Sequence, residues 1–106
     1  MIDLPPHHLT TVRRILADTI PGYEVRVFGS RVTGTAKPHS DLDLAVVADH
    51  PLDLKTLSRL REAFEESDLP IRVDLVEWNS ISDEFRKVIE ESYEIILEGE
   101  NSSPGP

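Results

Sequence analysis

Apolar positions recur at helical spacing near the start of the chain: Leu9, Val12, Leu16 and Ile20 predict a helix from His7 to Ile20. Pro21-Gly22 stops it. Residues 23–28 form a short β-branched and aromatic run, a predicted strand. Residues 29–40 carry glycines, a proline and small polar side chains, a loop with room for one helical turn. Residues 42–47 alternate into a second strand, with Leu42, Leu44 and Val46 on its core side. Asp53 caps a predicted helix that gathers Leu57, Leu60 and Phe64 on one face, and Leu69-Pro70 ends it. Residues 71–78 predict a third strand. Ser80 to Asp83 has the form of a capping box, opening a last helix with Ile81, Phe85, Val88, Ile89 and Ile96 inward and Gly99 as its C-cap. The expected organisation is one domain over residues 1–99 and a polar, frayed tail over 100–106.

Helix and strand alternate, which predicts an α/β (α+β) fold: a small sheet flanked by helices. The connection between the first two strands, about twelve residues, is short for a helical crossover. An antiparallel pair, and so a mixed sheet, is expected.

Composition narrows the class. The 106 residues hold no cysteine, which excludes disulfide scaffolds, thiolate zinc sites and thiol nucleophiles. No apolar run approaches the ~18 residues of a membrane span, and the N-terminus has no basic or apolar leader. The expectation is a soluble, cytoplasmic protein without membrane contact. The net charge of -9 lies entirely in residues 61–100, with thirteen acids against four bases. So acidic a chain is a poor non-specific nucleic-acid binder. Its acidic half reads as a solvated face or as a docking face for a basic partner.

The chemistry is concentrated between Phe28 and Leu44. Asp41 and Asp43, two residues apart on a strand, project from one face and repel unless a cation sits between them. Carboxylate oxygens suit a hard divalent ion such as Mg²⁺, held together with substrate phosphates. Gly29 directly follows the first strand and permits close backbone approach; Ser30 adds a hydroxyl and a backbone N–H for phosphate. Arg31 and Lys37 are either phosphate contacts or ordinary surface. Asp74, on the third strand, lies opposite the apolar face of Ile71, Val73 and Leu75 and can complete a two-metal site for displacement at phosphorus. No G-x-x-x-x-G-K-[ST], G-x-G-x-x-G or EF-hand pattern competes with this reading.

Gly29-Ser30, ten residues, then Asp41-Leu42-Asp43 resembles the signature of the DNA polymerase β nucleotidyltransferase superfamily, and the run from Gly29 to Val46 is similar to its minimal (MNT) branch. The resemblance spans about residues 7–98. It implies a nucleotidyltransferase fold and ATP bound with two Mg²⁺ ions. Gly29 and Ser30, with Arg31 and Ser40, would hold the nucleotide; Asp41, Asp43 and Asp74 would ligate metal and carry catalysis. MNT proteins are often encoded beside a HEPN-domain protein, and the resemblance implies an antitoxin in complex with a HEPN RNase toxin that it modifies with AMP on a tyrosine. An occluding antitoxin without chemistry, or an adenylyltransferase of a small molecule such as an aminoglycoside, are the alternatives. A partner that is itself the substrate would supply the acceptor site that larger relatives build with an added helical domain.

Overall fold

The alternation in residues 42–47 is realised in β2 (Leu42–Val47), where Leu42, Leu44 and Val46 are buried together. In the computed structural model, which describes residues 1–99, β2 lies inside a sheet of order β3-β2-β1-β4. β1 (Glu24–Phe28) runs antiparallel to β2 and to β4 (Glu94–Leu97). β3 (Val73–Glu77) runs parallel to β2, reached through helix α3 (Leu54–Glu65). The mixed sheet is therefore as expected, with the antiparallel pair at the short β1–β2 connection.

Helix α1 (Pro6–Thr19) starts on a proline, whose fixed φ suits the first turn and whose missing N–H had no partner to lose. It ends at Thr19, with Ile20 as its C-cap before Pro21. Helix α3 is capped as anticipated: Asp53 accepts the Thr56 N–H at 2.7 Å. The buried faces of the two helices, Val12, Leu16, Leu60 and Phe64, join Val25, Val27, Leu42 and Leu44 in one core. Each such side chain contributes about 1.5–3 kcal/mol on burial. Among the described residues no helix is long and apolar enough to cross a membrane.

The C-terminal third departs from expectation. The last helix, α4, covers only Asp83–Glu91. Its cap is Ser82, which accepts the Phe85 N–H at 3.1 Å, rather than Ser80. The chain then extends at Ser92 and forms a fourth strand, β4, with Ile95 paired to Arg26 and Leu97 to Val25. Ile96 is buried from a strand, not a helix, so Gly99 caps no helix. Val88, expected inward, is 59% exposed. β3 is shorter than its apolar run because residues 78–80 turn into a 3₁₀ helix. Trp78 accordingly lies over the sheet face, with the Arg26 guanidinium 4.8 Å from its ring and that of Arg86 at 5.7 Å. The tail over 100–106 lies outside the described residues.

The sheet has two faces of different character. Val25, Val27, Leu42 and Leu44 point to the α1–α3 core. Register partners share a face, so Phe28 with Asp43, and Asp43 with Asp74, all point the other way. On that side α4 covers part of the sheet, its Phe85 ring edge-on to Phe28 at 5.6 Å and its Ile89 buried. The acids stand beside this cover.

Candidate active site

Gly29 leaves β1 with φ +79° and ψ -154°, a combination essentially confined to glycine. It turns the chain into the single-turn helix α2 (Ser30–Thr33). A second demand falls on the same residue. A Cβ built here would stand 2.5 Å from Asp43 Oδ2. The glycine thus makes room for the carboxylate as well as for a ligand. Ala in its place is expected to cost about 1–3 kcal/mol of stability through backbone strain alone and to displace Asp43. Chemical denaturation together with the transfer rate checks this, with loss expected in both.

The structure brings Asp43 and Asp74 together as partners across the β2–β3 ladder, and Asp41 sits just before β2. Asp43 is half-buried, and Asp74 is exposed. Burial, and then the charges of Asp74 and Asp41, push the Asp43 carboxyl above its ordinary value, while Arg72 pulls it partly back. Such a group favours a cation in front of it. Asp41 is turned to Arg72, with its Oδ2 3.6 Å from the guanidinium Nε. As they stand, no three acidic or imidazole side chains among the described residues are close enough to hold a metal ion. The donor set nonetheless fits a hard divalent cation, since all three groups are carboxylates and Asp43 and Asp74 are register partners on one face.

Arg31 corrects the sequence reading. It is not a surface side chain, being 5% exposed, and its guanidinium is taken up by backbone carbonyls. Its Nε and Nη2 both donate to the Ser40 carbonyl, at 3.2 and 2.8 Å. Its Nη1 donates to the Asp3 carbonyl at 2.8 Å, and Nη2 also reaches those of Lys37 and Pro38. The guanidinium ties the loop over 37–40 and the N-terminal segment to α2. Ser40 is drawn into the same loop, its hydroxyl accepting the Lys37 N–H at 2.8 Å. Lys37 and His39 are exposed. The Ser30 hydroxyl has no partner among the described residues, and Ser30 opens α2, where the N–H groups of Ser30 and Arg31 precede the first bonds of the turn, which Val32 and Thr33 donate to the Gly29 carbonyl at 3.0 Å.

Residues 9–96 match the family described as nucleotidyltransferase domain. The chain belongs to that family. It is 47% identical over 105 residues to "Probable protein adenylyltransferase MntA" of Haemophilus influenzae, covering 99% of this chain and 92% of that protein. It is also similar to the crystal structure of a toxin-antitoxin with AMP-PNP, with a TM-score of 0.71 and 28% identity over 88% of this chain and 75% of that one. One chain in the structure of a tri-AMPylated Shewanella oneidensis HEPN toxin in complex with MNT antitoxin shares the fold, with a TM-score of 0.59 and 22% identity over 90% of this chain and 73% of that one.

Within this nucleotidyltransferase the residue that sequence reading passed over is Arg72. Its signal was present: it lies two positions before Asp74, so it points to the same side of the strand run. Its backbone is fixed as well, since the Arg72 carbonyl accepts the Leu42 N–H at 2.9 Å, locking β3 to the start of β2. Trp78 lies beyond the far end of β3. There, at the end of the sheet away from the acids, it lines a cavity of about 520 Å³ with Tyr23 and His50.

Proposed function

We propose that this nucleotidyltransferase is a Mg²⁺-dependent protein adenylyltransferase and antitoxin, which transfers AMP from ATP to a tyrosine hydroxyl of a cognate HEPN RNase toxin bound in complex with it. The observation that carries the reading is the pairing of Asp43 with Asp74 beside a Gly29 turn shaped around the Asp43 carboxylate. The near full-length similarity to a protein adenylyltransferase supports the choice of a protein acceptor.

Asp41, Asp43 and Asp74 would hold Mg²⁺. The metal would supply charge neutralisation at the triphosphate and at the attacking and leaving oxygens. Gly29 and the N–H and hydroxyl of Ser30 receive phosphate oxygens. The acceptor oxygen forms a bond to the α-phosphorus in line with the bond that breaks, and pyrophosphate leaves with that bond's electron pair. The hydroxyl proton passes to a carboxylate, and the greater exposure of Asp74 supports it as the acceptor. Arg31 holds the loop that leads into Asp41, so its part is positioning.

Intact mass spectrometry of the partner, incubated with this chain, ATP and Mg²⁺, tests the reading. A gain of one or more AMP masses, lost in Asp41→Asn/Asp43→Asn, is expected. A partner that is bound yet unmodified would overturn it in favour of occlusion. Mg²⁺ and ATP should also raise the melting temperature together. At a nucleotide concentration of 100 times Kd the gain is about 2.7 kcal/mol. Thermal unfolding with and without EDTA checks it.

A further inference from the structure

We propose that Arg72 is a resident counter-cation for Asp41, which keeps the acid cluster from taking a divalent ion until nucleotide arrives with it. The inference rests on the metal-dependent reading above and assigns Arg72 a positioning role within that site.

The argument starts from the sheet. Asp43 and Asp74 share a face and crowd one another, and Asp41 adds a third negative charge. Arg72 is the cation that the structure sets against them. Its Nε stands 3.6 Å from Asp41 Oδ2, and it also bears on Asp43. The placement follows from backbone register, because Arg72 accepts the Leu42 N–H through its carbonyl. The register therefore sets the Arg72 Cα beside Asp41, within reach of its carboxylate.

Two further facts give the pairing a consequence. Asp41 faces Arg72, and the three carboxylates do not stand as a ready-made cage. An ion must therefore displace the guanidinium to recruit Asp41. The pair is also exposed, with Arg72 at 75% and Asp41 at 43%. An ion pair in water is weak enough to be displaced when nucleotide phosphates bring additional ligands. A bare ion has only the carboxylates to gain and competes less well. Arg72 thereby couples metal entry to nucleotide entry.

The test uses the full chain and Mn²⁺ as the probe, titrated without nucleotide and read by calorimetry or by the electron paramagnetic resonance of free Mn²⁺. Arg72→Gln should tighten Mn²⁺ binding about threefold, the scale of one exposed ion pair. Arg61→Gln is the matched control. Arg61 lines a groove of about 310 Å³ together with Arg72 and Asp74 and forms no ion pair among the described residues. It should leave the affinity unchanged, as should Arg72→Gln in an Asp41→Asn background. Addition of AMP-PNP should narrow the difference between wild type and Arg72→Gln.

Equal Mn²⁺ affinity in wild type and Arg72→Gln would overturn the proposal. So would equal tightening by Arg61→Gln, or by Arg72→Gln without Asp41, since either would be a general field effect. If Mn²⁺ binding is the same in wild type, Asp41→Asn and Asp43→Asn, the metal-site reading itself fails. If the aspartate variants lose binding while Arg72→Gln changes nothing, only the counter-cation role fails.

Discussion

Replacing Asp43 by Asn is expected to stop AMP transfer while making the nucleotide-free protein melt at a higher temperature. The amide keeps the shape of the carboxylate, so Gly29 still fits beside it. What is lost is the negative charge facing the metal and the reacting phosphate. Removing a charge-stabilising group of this kind costs several kcal/mol of barrier, so a fall of about 10³-fold is expected. Stability moves the opposite way. In the fold, burial and the neighbouring acids make Asp43 hold its proton more tightly than in the unfolded chain. The advantage this gives folding is fully present below the unfolded pKa, 3.8, and is lost as pH rises through the higher folded value. At neutral pH the ionised carboxylate is thus a cost that the amide removes. The gain in melting temperature should be present at pH 7 and disappear at and below the unfolded value. Scans of both proteins across that range, without metal or nucleotide, check it. A variant that is inactive because it is misfolded would melt lower, so the sign separates the two causes.

The same residues show which parts of the fold the sequence makes legible. β2 was readable because Asp41 and Asp43 alternate with Leu42 and Leu44 at its start and an apolar β-branched run follows. α1 and α3 were readable from apolar spacing bounded by proline, glycine and a capping aspartate. β4 was not. Ile89 and Ile96 stand seven residues apart, which satisfies a helical face as well as it satisfies two separate elements. Between them Ser92 is the only break, and no proline or glycine marks the change. Pairing with β1 decides in favour of the strand, and that partner is nearly seventy residues away in the chain. Local pattern carries no information of that kind.

The candidate site divides in the same way. Asp41, Asp43 and Asp74 could be brought to one face by strand arithmetic alone, and β2–β3 register does bring Asp43 to Asp74. The second requirement on Gly29 was invisible, because the Asp43 oxygen that a Cβ would meet arrives through the antiparallel register of β1 with β2. The Arg72–Asp41 pair likewise depends on which strands are neighbours. Arg31 was misread for a different reason. A cation beside a phosphate-binding turn reads naturally as a ligand contact, whereas its true acceptors are backbone carbonyls, which every residue carries and no sequence pattern marks.

Arg31→Met should therefore lower stability more than any other single change discussed so far, and lower activity with it. The methionine fills much of the space but leaves the carbonyls of Asp3 and Ser40 without the donors that now reach them at 2.8 Å. Charged donors of this kind are worth about 1.5–3 kcal/mol each, and water entering the exposed loop recovers part of that. A net loss of about 3 kcal/mol is expected, which for a domain of this size lowers the melting temperature by roughly 12–24 °C. Arg31→Lys should recover only part of the loss, since one ammonium cannot span carbonyls that the planar fork reaches from several nitrogens. The effect on catalysis follows from connectivity. The tethered segment 37–40 runs directly into Asp41, so releasing it loosens the first acid of the pair. A surface arginine engaged with nucleotide would behave differently: its loss would weaken ATP binding and leave the melting temperature of the free protein unchanged. Thermal unfolding of wild type, Arg31→Lys and Arg31→Met without nucleotide, set beside their ATP affinities, decides between the two roles.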